Sequence, residues 1–181
     1  MSGADKGWVS LAGRPMIDWV ISRLLPQVGK VLISANRNQP SYQCFGYPVF
    51  GDDLPNQQGP LAGLAAGFAR LETPWMLVIP CDAPLLPWDL GPRLIASAQT
   101  VGARLAVAHD DERMQPAFLL AHRDVRAPLE VALAAGERRL GAWVSVQRPA
   151  IISFSGIGKA WRGANTEAEL AALTQAFVLS A

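Results

Sequence analysis

Trp75-Met76-Leu77-Val78-Ile79-Pro80-Cys81-Asp82-Ala83-Pro84 is an apolar run that stops at one carboxylate between two prolines. The unbroken hydrophobicity of Met76 to Ile79 is that of a strand buried on both faces, as in a parallel sheet. Asp82 is then expected at a strand's carboxyl end. In open α/β sheets ligands bind along that edge, which makes the lone carboxylate a candidate metal- or phosphate-site residue. The same residue also suits the start of the Ala83-Pro84 turn.

Upstream of this stretch, strand and helix signals alternate. Met1 to Gly7 is small and polar, like the end of a loop, and Trp8 to Leu11 fits a short extended piece. Pro15 opens a helix that carries Met16, Ile17, Val20, Ile21, Leu24 and Leu25 on one face and ends at Pro26. Lys30 to Ala35 reads as a buried strand ending in the polar cluster Ser34, Asn36, Arg37 and Asn38. Pro48 to Phe50 is a short strand that delivers Gly51-Asp52-Asp53. After a turn over Leu54 to Pro60, a helix runs to Leu71 with small residues at Ala62, Gly63, Ala66 and Gly67. Its first amides favour an anion, although a closely packed helix without a ligand has the same composition.

Downstream, Pro87 and Asp89 start a helix that reaches about Ala98. Arg104 to Ala108 and Pro116 to Leu120 read as strands around the charged connection His109 to Arg113. Val125 to Ala135 is helical and stops at Gly136, before Glu137-Arg138-Arg139; those arginines suit either a solvated surface or a grip on phosphate. A helix over Leu140 to Val146 and a strand over Ile151 to Phe154 follow. Thr166 and Glu169 form a capping box for a last helix reaching about Phe177. His109 and His122 lack a partner at metal-ligand spacing and read as solvated. The whole predicts a three-layer α/β domain, doubly wound around a mostly parallel sheet.

The chain has 181 residues, 50% hydrophobic and 17% charged, which bounds it to a globular protein of about one domain. A formal net charge of +1 argues against broad attraction to nucleic acid. Cys44 and Cys81 show no disulfide pattern, no run approaches the ~18 apolar residues of a membrane span, and the start does not resemble a secretory signal. A cytoplasmic location is expected, with no membrane partner.

Asp52 and Asp82 are thus expected on one sheet edge, with Lys6 arriving from a glycine-flanked loop. Carboxylate oxygens suit Mg²⁺, which completes its shell with water and substrate phosphates, and a lysine neutralises phosphate charge. Together they point to phosphoryl or nucleotidyl transfer.

Asp5-Lys6-Gly7, Leu11 to Pro15, Ser34 to Arg37, Asp52, Gly59 to Gly63, Pro80 to Pro84, Gly136 to Arg139 and Asn165-Thr166 stand in an order that resembles molybdenum cofactor guanylyltransferases. The resemblance covers nearly the whole chain. It implies a Rossmann-like nucleotidyltransferase fold over residues 1–181 and transfer of GMP from GTP to molybdopterin, with release of pyrophosphate. By position it implies that Lys6 contacts GTP phosphate, that Asp82 binds Mg²⁺ and faces the nucleotide, and that Asp52 and Ser34 also bind GTP. Gly59 and Pro60 fall in the base pocket, and Gln115, Arg138, Arg139 and Asn165 in segments for the pterin. Acceptor molybdoenzymes or their chaperones are further expected partners. A CTP-using relative acting on the same pterin, or an inactive pterin- or partner-binding relative, are the alternatives.

Three departures from the family's pattern bear on these expectations. The family opens with a strand and a Gly-rich nucleotide loop, whereas Met1 falls at the loop's methionine, so this chain is expected to lack a central strand and to be less stable and less active for it. Ser34 stands where the family often has an asparagine, which loosens the choice of guanine. Gly163 stands where another asparagine is common, which bears on the pterin side.

Overall fold

A computed structural model describes residues 5–53, 59–154, 163–164 and 166–179. The chain enters through a 3₁₀ turn at Lys6–Trp8 and a tight hairpin, β1 (Ser10–Leu11) against β2 (Arg14–Pro15). Ala12 and Gly13 close it with φ of 49° and 82°, the positive pair that lets a two-residue turn follow strand twist. Helix α1 (Met16–Leu24) buries Met16, Ile17, Val20 and Ile21, the face its periodicity predicts. Then come β3 (Ile33–Ser34), α2 (Gln39–Tyr42), β4 (Val49–Phe50), α3 (Pro60–Ala69) and β5 (Trp75–Val78). The second half carries α4 (Leu90–Val101), β6 (Leu105–His109), β7 (Met114–His122), α5 (Arg126–Ala134), α6 (Leu140–Val146), β8 (Ala150–Ser153) and α7 (Glu167–Leu179).

The main sheet has the order β5-β7-β6-β8. Strand β7 runs antiparallel to both β5 and β6, and β8 runs parallel to β6, so β5, β6 and β8 share one carboxyl edge. That edge therefore receives the Asp82 turn. Register slips where Val107 faces Leu119 but Ala108 faces Gln115, and Pro116 falls in the resulting bulge, where a missing N–H breaks no ladder bond.

Strand alternation builds a core on each face of this sheet. Leu105 and Val107 of β6 pack with Leu61, Leu64 and Phe68 of α3 and with Leu129, Leu133 and Trp143 of the later helices. Ala106 and Ala108 face the opposite way, onto Leu90, Leu94 and Ala98 of α4. A third cluster joins Leu11 and Met16 to Ala164, Leu173 and Phe177, which ties α7 to the entry hairpin.

Strands β3 and β4 pair in parallel with each other and, among the described residues, with nothing else. A slot of about 960 Å³ separates them from the main sheet, bordered by Val31 to Ser34 on one side and Trp75 to Ile79 on the other. This corrects two expectations. Only Ile33 and Ser34 of the stretch 30–35 form ladder pairs, because that stretch has a partner on one side only. Residues Trp75 to Val78 are half-buried rather than enclosed, because one edge of β5 faces the slot.

Candidate active site

Asp82 sits in the turn that follows β5, its side chain 16% exposed, and Lys6 Nζ lies 3.5 Å from its Oδ2. The lysine is brought there by its neighbours. Asp5 accepts hydrogen bonds from the Tyr42 hydroxyl and, at 3.0 Å, from Asn38 Nδ2, which fastens the entry turn to the loop after β3. Gly7 permits the close approach, since a Cβ there would stand 2.6 Å from the Tyr42 hydroxyl and 3.3 Å from Cys81 Sγ. Burial and the Asp5 bond both push the Tyr42 hydroxyl well above its ordinary range, so it remains a donor. Loss of solvation by the surrounding turn, helped by Asp82 and Asp5, pushes the thiol of Cys81 up to about 11 and keeps it protonated, although the residue as a whole is exposed.

Asp52 follows β4 and is held from the β3 side. Asn36 Nδ2 donates to its Oδ2 at 2.8 Å, and the Asp52 backbone N–H donates to Asn36 Oδ1 at 2.8 Å. Gly63 on the first turns of α3 comes so close that a Cβ would lie 3.3 Å from Asp52 Oδ1 and 3.5 Å from Ser34 Oγ. Gly59, with φ 82°, turns the chain into α3 behind Pro60, in a conformation that disfavours any side chain. Ser34, Asp52, Gly59 and Pro60 all line the slot, and Cys81 next to Asp82 lines it too. The loop after β3 thus holds Asp52 through Asn36 and Asp5 through Asn38, and Lys6, next to Asp5 in the chain, meets Asp82.

The residues expected on the pterin side are more scattered. Gln115 lies at the bulge, with its amide donating to Asp110. Arg138 turns back onto its own helix, where Nη1 donates to the carbonyls of Leu133 at 2.8 Å and Glu137 at 2.7 Å. Its carbonyl would lie 3.5 Å from a Cβ at Gly59, so the segment after α5 abuts the start of α3. The Arg139 side chain is 84% exposed, with Glu137 3.7 Å away. Asn165 lies outside the described residues, as does the predicted turn at 54–58.

Asn36, Asn38, Asp5 and Tyr42 are the residues that sequence reasoning did not assign to the site. Asn36 and Asn38 had a signal, since both belong to the polar cluster that ends the second strand stretch. Tyr42 had none, because its role is a contact between segments far apart in the chain.

Among the described residues, three metal-ligating side chains do not gather anywhere. The donor set nevertheless suits a hard divalent cation, because Mg²⁺ is commonly held by one or two carboxylates with water and phosphate oxygens completing the shell. Asp82 is a partly buried carboxylate at the carboxyl edge of β5, 3.5 Å from Lys6. No helix among the described residues is long and apolar enough to cross a membrane.

A family model described as the MobA-like NTP transferase domain matches residues 1–150. The molybdenum cofactor guanylyltransferase of Shewanella woodyi is 40% identical over 176 residues, covering 97% of this chain and 90% of that protein. Its counterpart from Shewanella amazonensis is 41% identical with the same coverage. Among solved structures, molybdopterin-guanine dinucleotide biosynthesis protein A from Archaeoglobus fulgidus superposes with a TM-score of 0.75 at 16% identity, covering 98% of this chain and 92% of that one. At that identity the likeness speaks for the α/β fold alone.

Proposed function

Because this chain belongs to the MobA-like NTP transferase family, we propose that it transfers GMP from GTP to molybdopterin and releases pyrophosphate. The observation that carries the proposal is the Lys6–Asp82 pair at the carboxyl edge of β5, in a chain 40% identical to a molybdenum cofactor guanylyltransferase over nearly its whole length. The terminal phosphate of molybdopterin attacks the α-phosphorus of GTP in line. A new phosphorus–oxygen bond forms as the bond to the β-phosphate oxygen breaks, and the electron pair leaves with pyrophosphate. Such a reaction needs positioning and charge neutralisation more than covalent help from the protein.

Lys6 holds phosphate charge on the nucleotide, and Asp5, fixed by Tyr42 and Asn38, keeps the lysine's turn in place. Asp52, clamped by Asn36, contacts the nucleotide beside Ser34, while Gly59 and Pro60 shape the ground for the base. Asp82 would hold Mg²⁺, which when bound offsets the negative charge that develops on the transferring phosphate. Gln115, Arg138, Arg139 and Asn165 serve the pterin side.

Pyrophosphate release in the presence of molybdopterin and Mg²⁺, with GTP and CTP compared, tests the proposal. GTP-dependent release is expected, and Lys6→Ala or Asp82→Asn should lower turnover by about 10²–10³-fold, the loss typical of one electrostatic group. Release with CTP alone would overturn the guanylyl assignment. Pterin binding without release from either nucleotide would favour a non-catalytic binding role.

A further inference from the structure

We infer that Asp110 is a positioning residue for Gln115, fixing its carboxamide so that the oxygen is turned to substrate; the substrate half of this rests on the reading of Gln115 as a pterin contact. Strand β7 lies between β5 and β6, and its first residues stand at the carboxyl edge of both. The ladder between β5 and β7 ends at the pair Val78 and Leu119. Asp82 lies as far beyond Val78 as Gln115 lies before Leu119, so the two leave neighbouring strands at one edge of the sheet. On its other side Gln115 faces Ala108, which leads directly to His109 and the bend that holds Asp110.

The surroundings of Asp110 decide which end of that amide is used up. Its Oδ1 accepts the backbone N–H groups of Glu112 at 3.2 Å and Arg113 at 2.9 Å, and its own N–H donates to the Arg113 carbonyl at 3.2 Å. Ser153 Oγ donates to Asp111 Oδ1 at 2.9 Å, which ties the same turn to β8. With Oδ1 committed to the turn and the residue buried, Oδ2 is held toward Gln115. An ionised carboxylate can only accept, so Gln115 has to give it Nε2. Oε1 and the second Nε2 hydrogen are left for other partners, and Oε1 is an acceptor for the ring N–H or amino group of a pterin. A solvated glutamine samples both faces of its amide. Here the buried acid selects one before substrate arrives, which lowers the cost of ordering the side chain on binding.

The test compares the full chain with Asp110→Asn, Gln115→Glu, their double variant and Gln115→Ala. It reads the Gln115 side-chain amide protons by NMR, the melting temperature, and KM for molybdopterin and for GTP. In the parent, the bonded Gln115 amide proton should exchange with water more slowly than that of a solvated glutamine. An asparagine at position 110 still accepts the turn's two backbone N–H groups, but it offers Gln115 an amide and so reverses the Gln115 carboxamide. Asp110→Asn should therefore shift the Gln115 resonances and raise KM for molybdopterin about tenfold, the loss of one hydrogen bond, with a smaller change in KM for GTP. Gln115→Glu sets two carboxylates against each other, whereas the double variant restores a donor–acceptor pair with an acceptor turned outward. Its KM for molybdopterin should fall back toward the parent's. If Gln115→Ala raises that KM and Asp110→Asn does not, the inference is overturned. Free exchange of the Gln115 amide in the parent overturns it too, and that reading does not depend on any variant folding. Slow exchange with no effect of Gln115→Ala on KM for molybdopterin would refute the pterin reading of Gln115 while leaving the fixed amide standing. Slow exchange in a protein that transfers no GMP would do the same to the proposed function.

Discussion

Asp110 shows how a single acid can be buried at the bend between β6 and β7. It is 5% exposed and accepts the backbone N–H groups of Glu112 at 3.2 Å and Arg113 at 2.9 Å, together with the amide of Gln115. Burial alone would raise its pKa, but these donors outweigh it and hold the carboxyl below the ordinary value of 3.8. A depressed carboxylate stabilises the fold above its unfolded pKa, and that contribution is lost as pH falls through the folded one. Asp110→Ala should therefore cost about 1–3 kcal/mol near neutrality, since it takes the acceptor from two backbone N–H groups and the Gln115 amide. In urea unfolding the gap from the parent should narrow as pH drops below the unfolded carboxylate range, and a gap independent of pH would refute this account. At this scale Asp52 and Asp82 stood out because strand ends are readable from hydrophobic runs, and Lys6 because it sits in a glycine-flanked loop. It did not show that Arg138 turns back onto Leu133 and Glu137, because nothing in an Arg-Arg pair says which carbonyls lie within reach.

The terminal helix is the element whose boundary depends most on one pair. Thr166 Oγ1 and Glu169 Oε2 each accept a backbone N–H across the first turn of α7, as the spacing of the two residues predicts. Thr166→Ala should destabilise the fold by about 1 kcal/mol and lower the melting temperature by about 2–4 °C. Because Gly163, three residues before the cap, lies against Asp82, the change should also lower turnover, whereas a cap with no link to the site would affect melting alone. Helices α1, α3, α4, α5 and α6 were all legible from their opening or closing residues, such as Pro15, Pro60 and Gly136, although α4 runs past the expected end near Ala98 to Val101. Of the hairpin of β1 and β2, the extended piece at Trp8 to Leu11 and the turn after it were legible but the second strand was not. Ser10 and Leu11 meet Arg14 and Pro15 across Ala12 and Gly13, a turn in which alanine takes a positive φ that its sequence does not advertise.

Over the whole molecule, the slot between β3 and β5 separates what the sequence could foretell from what it could not. Apolar runs identify strands, and the order of strands and helices identifies the doubly wound class. Neither reports that two ladders stop short of each other, because pairing is a property of neighbours. Where a strand has a partner on one side only, half of its N–H and C=O groups lack their ladder bond. We predict that placing an apolar strand and a glycine-rich loop ahead of Met1 would fill the slot and raise the melting temperature. It should also slow hydrogen exchange at Val31 to Ser34 and Trp75 to Ile79, which border the slot. Unchanged melting and exchange would show that the slot does not accept a strand. The same feature governs how the molecule behaves in a crowd. Two facing ladders are a template for any extended segment, including one lent by another copy, and a net charge of +1 supplies almost no repulsion to keep copies apart. An extended segment from outside would then add to the sheet at an internal gap rather than at its outer edge.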